Sequence, residues 1–185
     1  MHLPIFIIGM PAAGKTFFGQ QIAGKLHIPF IDTDKKVLEL YYQKNNVSST
    51  ILEIFKRDGE KAFRILERQV IRKIEKKFQI VACGGGLPCY FDNIEYMINN
   101  GIVIYLNTEM TIIIERHKLN LHKSPLLEEK NNDQISKIIL NLFKKRIHFY
   151  NKGQLIDLEY NYNIDNKILI INNLTMDVDK FNENK

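Results

Sequence analysis

The sequence predicts an α/β protein, a parallel sheet of about five strands with helices on both faces, folded as a single domain over residues 1–185. Two observations predict it. Short apolar segments alternate along the chain with longer segments of helical periodicity, the pattern of strands joined by right-handed helical crossovers. A glycine-rich turn, Gly9-Met10-Pro11-Ala12-Ala13-Gly14-Lys15-Thr16, lies between the first strand and the first helix. It fits G-x-x-x-x-G-K-[S/T] at every fixed position, and strand–loop–helix is the setting in which that pattern binds phosphate.

Taken in order, Leu3 to Ile8 reads as a buried strand and Phe17 to Leu26 as a helix. Ile28 to Ile31 is a second strand that ends at Asp32-Thr33-Asp34, and a helix from about Lys35 to Gln43 follows. Ile51 to Lys56 forms a short helix, Asp58-Gly59 interrupts it, and Glu60 to Lys77 continues as a long helix with Phe63, Leu66, Val70 and Ile74 on one face. Gln79 to Cys83 is the third strand, stopped by Gly84-Gly85-Gly86. Asp92 or Asn93 caps a helix carrying Ile94, Met97 and Ile98. Ile102 to Leu106 is the fourth strand and Thr108 to Lys118 the next helix. Leu119 to Asn132 is polar, aperiodic and interrupted by Pro125, which predicts a mobile loop over about 119–132. Asp133 caps a helix running to about Tyr150, and a strand near Leu155 to Leu158 precedes an apolar segment, Ile168 to Ile171, and a polar tail over about 173–185.

Composition narrows the function. The chain carries 45% hydrophobic and 25% charged residues, ordinary for a globular domain, and no apolar run reaches the roughly 18 residues of a membrane span. The N-terminal residues lack the pattern of an export signal, so the expected location is the cytoplasm. A net charge of +5 is spread over dispersed lysines without a basic stripe, which argues against nucleic acid and suits anionic ligands. Cys83 and Cys89 match neither a redox pair nor a zinc site, and no structural metal is expected.

The phosphate loop has a chemical rationale at each position. Backbone N–H groups and a helix N-terminus meet the anion, and Gly9 and Gly14 allow the tight bend. Lys15 reaches the β/γ-phosphates and the Thr16 hydroxyl ligates Mg²⁺. Asp32 and Asp34, two apart in an extended segment, point the same way, which suits Mg²⁺ on one and an acceptor hydroxyl on the other. The alternative is a pair of helix-capping acids. Three consecutive glycines mark a close backbone approach, or else a plain loop. The third strand offers Val81-Ala82-Cys83 and no acid where many such enzymes hold the metal, which leaves Asp32 as the candidate. All three polar stops follow strand ends and so share one cleft.

The pieces G-M-P-A-A-G-K-T, F-I-D-T-D, D-G-E-K-A-F-R-I-L-E, G-G-G-L-P, S-P-L-L and K-K-R-I-H-F-Y occur in an order and spacing that resemble the shikimate kinases over roughly residues 3 to 160. The resemblance implies a three-layer α-β-α P-loop kinase fold with a mobile lid loop, and ATP-dependent phosphorylation of the 3-hydroxyl of shikimate in aromatic amino acid biosynthesis. It implies ATP and shikimate as partners, Mg²⁺ as cofactor and a monomeric enzyme. Gly9 to Phe17, with Arg116 and Lys118, fall on the ATP side, and Thr16 and Asp32 on the metal. Asp34 binds the acceptor hydroxyls and serves as base. Arg64 and Arg146 pair with the shikimate carboxylate, Gly84, Gly85 and Gly86 line its site, and Glu67 orients Arg64. Read alone, Arg64 and Glu67 are equally an ordinary i,i+3 surface pair, and Arg146 a solvated helix end.

The chain departs from the family twice. Ala12 and Phe17 stand where the family has Gly and a second hydroxyl residue, which predicts weaker nucleotide binding. Ser124 stands where the lid has its arginine, a residue worth on the order of 10³-fold in rate when it covers the transferring phosphoryl group. Lys123 beside it is the expected substitute, giving a slow enzyme. The alternatives are a nucleotide-binding homologue impaired in catalysis, or a kinase of another small hydroxylated acid.

Overall fold

A computed structural model describes residues 3–119, 131–158, 164–167 and 171. Five strands form one sheet: β1 (Ile5–Ile8), β2 (Phe30–Asp32), β3 (Ile80–Ala82), β4 (Ile102–Thr108) and β5 (Gln154–Leu158). Their order is β2-β3-β1-β4-β5 and every neighbouring pair is parallel, with Ile5 opposite both Ile80 and Ile102. The helices are α1 (Lys15–Leu26), α2 (Thr33–Asn45), α3 (Ile51–Arg72), α4 (Asn93–Asn100), α5 (Met110–Leu119) and α6 (Asn132–Tyr150), with a short 3₁₀ turn over Leu87–Cys89.

The apolar run of β1 is buried throughout because both faces of the sheet are covered. Its side chains alternate. Phe6 and Ile8 pack with Val81, Val103 and residues of α4 and α6, while Ile5 and Ile7 pack with Ile80, Ile104 and the α1 residues Phe18 and Ile22. A third cluster joins Val37 and Leu40 of α2 to Ile54, Phe63 and Leu66 of α3 beside the sheet. Full burial of an isoleucine or phenylalanine contributes about 1.5–3 kcal/mol, so the central strand anchors the loop that follows it.

Several boundaries differ from the sequence reading for local reasons. The first helix starts at Lys15, directly after Gly14, whose φ of 97° turns the chain into it. The second starts at Thr33, so Asp34 sits on a helix and not in an extended segment; Asp32 alone is extended, at φ −109° and ψ 118°. Gly59 adopts φ 80° and ψ 168°, which bends α3 where the Asp58-Gly59 break was expected. The long helix ends at Arg72, and the Ile74 that continued its pattern packs on the core from outside it. The cap of α6 is Asn131, in a reciprocal box with Gln134, and not Asp133. Asp92 does occupy the cap position of α4, but its carboxylate pairs with Arg72 and Arg68. The expected lid loop, about 119–132, falls mainly on residues 120–130, which lie outside the described residues, as does the expected tail, about 173–185.

Candidate active site

Strand ends β1, β2, β3 and β4 deliver the site. The chain leaves β1 between its neighbours β3 and β4, which places a crevice at their carboxyl ends. A cavity of about 730 Å³ lies there, lined by Pro11, Ala12 and Gly14 to Phe17, by Asp32 and Asp34, and by Arg64 and Glu67. Gly84 to Gly86, Arg116 and Arg146 complete its polar wall. Gly9, Met10 and Ala13 are not on this lining: the Met10 and Ala13 side chains are buried in the core, and Gly9 contributes only backbone. Lys118 is half-buried on α5 and also off the lining, while Lys123 lies outside the described residues.

The loop is held from behind. Lys15 Nζ donates to the carbonyls of Gly9 at 3.0 Å and Met10 at 2.7 Å. His117, buried on α5, lies against the Pro11 backbone. Arg116 Nη1 donates to Ala12 O at 2.9 Å, and Thr108 Oγ1 to Ala13 O at 2.8 Å. Four of the five successive carbonyls from Gly9 to Ala13 are thereby occupied, so N–H groups are what the loop offers to an anion. Ala12 sits at φ 62°, the left-handed region, where an alanine costs about 1–2 kcal/mol. Gly9, at φ 143°, leaves no room for a side chain: a Cβ there would lie 2.7 Å from Leu106 O. Phe17 is exposed at the rim.

Beside the loop, Thr16 Oγ1 donates to Asp32 Oδ2 at 2.9 Å. The other Asp32 oxygen accepts from the N–H of Asp34 at 3.0 Å and of Lys35 at 3.4 Å. Asp32 is therefore a helix cap and a partner of Thr16 at once, and the two readings of this residue are compatible. Two oxygen donors together, with no cluster of three His, Cys, Asp or Glu among the described residues, suit a magnesium ion that keeps waters and phosphate oxygens.

The third strand end carries the triple glycine, and each glycine meets a site residue. A Cβ on Gly84 would overlap Asp34 Oδ1, one on Gly85 would lie 2.7 Å from the Pro11 ring, and one on Gly86 2.5 Å from Arg64 Nη1. None of the three has a left-handed φ, so the glycines are there for close approach. Arg64 is buried at 6% exposure and donates through Nη1 to Glu67 Oε2 at 2.6 Å. Its Nε and Nη2 donate to Glu60 Oε1 at 3.2 and 3.0 Å. Tyr90 holds the same Glu60 oxygen at 2.7 Å and lies under the guanidinium, 4.3 Å from ring centre to carbon. Arg146, on α6, is equally buried, and among the described residues no carboxylate forms an ion pair with it.

Burial sets the charges of this site. It pulls Lys15 down to about 8 against the attraction of Asp34. It pushes Asp34 up, helped by the charge of Asp32. Burial also raises Glu67, to about 7, against the pull of Arg64. The Cys83 thiol, between these groups and buried, is pushed far up and stays neutral. Sequence reasoning missed Glu60, Tyr90, Thr108 and His117. Glu60 was legible, four residues before Arg64 on a helix; the others act on groups that no sequence spacing marks.

A nucleotide-phosphate loop facing a pocket with buried cations and the helix-borne carboxylates Asp34 and Glu67, on a β2-β3-β1-β4-β5 sheet, defines a P-loop phosphotransferase for a small anionic acceptor. The family model described as "Shikimate kinase" matches residues 11–172. A curated shikimate kinase of Bacteroides thetaiotaomicron is 32% identical over 169 residues, covering 89% of this chain and 93% of that protein. The crystal structure of shikimate kinase from Bacteroides thetaiotaomicron superposes with a TM-score of 0.79 at 31% identity, covering 93% of this chain and 97% of that one. The structure of shikimate kinase from Acinetobacter baumannii in complex with shikimate gives 0.78 at 28% identity, covering 96% and 94%. The chain belongs to the shikimate kinase family.

Proposed function

We propose that this chain transfers the γ-phosphoryl group of ATP to the 3-hydroxyl of shikimate, a step of aromatic amino acid biosynthesis, and that the residues above divide the work as follows. The observation that carries the reading is the pair of buried guanidiniums at the triple-glycine wall, Arg64 held by two carboxylates and Arg146 by none among the described residues. An acceptor carboxylate satisfies Arg146 and reaches the N–H groups of Gly85 and Gly86. Glu67 and Glu60 fix the Arg64 fork, so that its remaining edge faces the acceptor. Asp34, between that wall and Lys15, hydrogen-bonds the acceptor hydroxyls, and its raised affinity for protons suits it to accept one from the attacking oxygen. Lys15 leaves the loop carbonyls for the β/γ-phosphates.

Thr16 and Asp32 would hold Mg²⁺, which when bound supplies positive charge to the phosphate oxygens. Arg116 approaches the nucleotide side while fixing Ala12, and from the sequence alone Lys123 is assigned the lid charge and Lys118 the same flank. We take the enzyme to be monomeric and single-domain, as the resemblance in sequence implies. No helix among the described residues is long and apolar enough to cross a membrane, and we place the enzyme in the cytoplasm. A coupled assay of ADP release with Mg²⁺, with and without shikimate, tests the proposal. Shikimate-dependent turnover is expected. ATP binding without turnover would leave an impaired homologue, and turnover with only another hydroxy acid would reassign the acceptor.

A further inference from the structure

Tyr150 is, among the described residues, the largest fully buried side chain and no part of the phosphate or acceptor chemistry assigned so far. It ends α6, one turn after Arg146, and its ring stacks on Tyr105 with centroids 5.3 Å apart. Its hydroxyl donates to the carbonyl of Gly85 at 2.7 Å, across 65 residues of sequence. That bond stands out among the bonds of the triple glycine. The Gly84 and Gly86 carbonyls accept from the nearby N–H groups of Leu87, at 3.0 Å, and Cys89, at 2.9 Å, as ordinary turn bonds. The Gly84 N–H donates to Thr33 Oγ1 at 2.8 Å. Among the described residues no acceptor takes the N–H of Gly85 or of Gly86. The peptide between these two glycines thus has one anchor, and the anchor is Tyr150.

A trans peptide points its N–H opposite to its C=O. With the Gly85 carbonyl drawn onto the Tyr150 hydroxyl, the Gly86 N–H is turned away from that hydroxyl. Two flanking glycines give the unanchored peptide almost no steric barrier to turning over, and a turned peptide would present a carbonyl oxygen in place of a donor. We infer that Tyr150 is a positioning residue for acceptor binding: it locks the Gly85–Gly86 peptide so that the Gly86 N–H serves as an anion donor beside Arg146. The phenol also feels the charge of Arg146, one turn earlier on the same helix. The inference rests on the proposal that the acceptor carboxylate binds at this wall.

The test is Tyr150→Phe in the whole enzyme, with Tyr105→Phe as a control that removes a neighbouring hydroxyl but not the anchor. Tyr150→Phe raises the KM for shikimate about tenfold while kcat and the KM for ATP stay within about threefold. Its preference for shikimate over the methyl ester falls by a similar factor, because the lost donor acts on the carboxylate. A merely structural role would shift the melting temperature and active fraction without this split. Should the variant not fold, the wild-type Gly86 amide decides: its ¹⁵N–¹H resonance must move on titration with shikimate in the absence of nucleotide. An unmoved Gly86 resonance, or a folded Tyr150→Phe with wild-type KM and ester discrimination, overturns the inference. Wild-type enzyme that neither binds nor phosphorylates shikimate would instead overturn the acceptor assignment itself.

Discussion

Replacing Arg146 by methionine should weaken the enzyme and stabilise the protein together. Arg146 is 6% exposed and, among the described residues, has no ion-pair partner; the carboxylates of Glu60 and Glu67 feel its charge from farther away. In the free enzyme a desolvated cation therefore stands with incomplete compensation. Exchanging such a group for an apolar side chain of similar length is commonly neutral or stabilising by about 1–4 kcal/mol. We take about 1 kcal/mol, because the Tyr150 hydroxyl and the distant carboxylates offset part of the cost, and this raises Tm by about 2–4 °C for a chain of this size. The charge-assisted bond to an acceptor carboxylate is worth about 1.5–3 kcal/mol, so the KM for shikimate rises about 10- to 150-fold. Thermal melting and steady-state kinetics with ATP saturating measure the two effects. A lower Tm with an unchanged KM would show that Arg146 braces α6 and holds no ligand, and the acceptor assignment would lose its main support.

Further outcomes follow, the last of them from the sequence alone. The kcat/KM for ATP falls as pH rises past about 8, where Lys15 loses its proton, and Lys15→Arg abolishes that limb. Stability moves the other way: a lysine whose affinity for protons is lowered on folding costs stability below about 8, and that cost is relieved as pH rises from there toward 10.5. Asp34→Asn lowers kcat about 10²- to 10⁴-fold if it accepts the proton, and the acid limb of kcat/KM lies above the ordinary aspartate range in the wild type. Ala12→Gly relieves the left-handed strain at φ 62° and raises stability by about 0.5 kcal/mol net of the added chain entropy, read by chemical denaturation. Lys123→Ala lowers kcat at least about tenfold and Ser124→Arg raises it; unchanged kcat in the first with a rise in the second would remove Lys123 from catalysis.

Fixed spacing made the phosphate loop, the triple glycine and the Arg64–Glu67 pair legible, because each is a local arrangement that one element delivers whole. The aspartates were placed in the right cleft by the wrong geometry. An extended segment was expected to point both the same way, whereas Asp32 caps α2 and Asp34 rides on its first turn. The residues that went unread share a different property. Thr33, Thr108 and Tyr150 bond to backbone groups 51, 95 and 65 residues away. A backbone oxygen has no letter in the sequence, so its partner leaves no pattern. Conversely, Ile74 extended a helical period past the true end of α3 because burial, which periodicity reports, does not require the helix to continue.

The two halves of the site meet where Pro11 packs on Gly85, and the chemistry of that contact explains why both loops look as they do. Pro11 lacks an N–H, so it cannot donate to phosphate, and its ring lies where a Gly85 side chain would be. Its backbone lies against His117, while the Gly85 carbonyl is held by Tyr150. Proline and glycine thus fix the separation of the phosphate loop from the acceptor wall without a polar group between them, and helices α5 and α6 fix each side from behind. Phosphoryl transfer depends chiefly on holding donor and acceptor oxygens in line, since a loose transition state asks little covalent help. A rigid spacer with outward-turned carbonyls supplies that, and it leaves the buried charges Lys15, Asp34 and Arg146 as the groups whose compensation waits on the ligands.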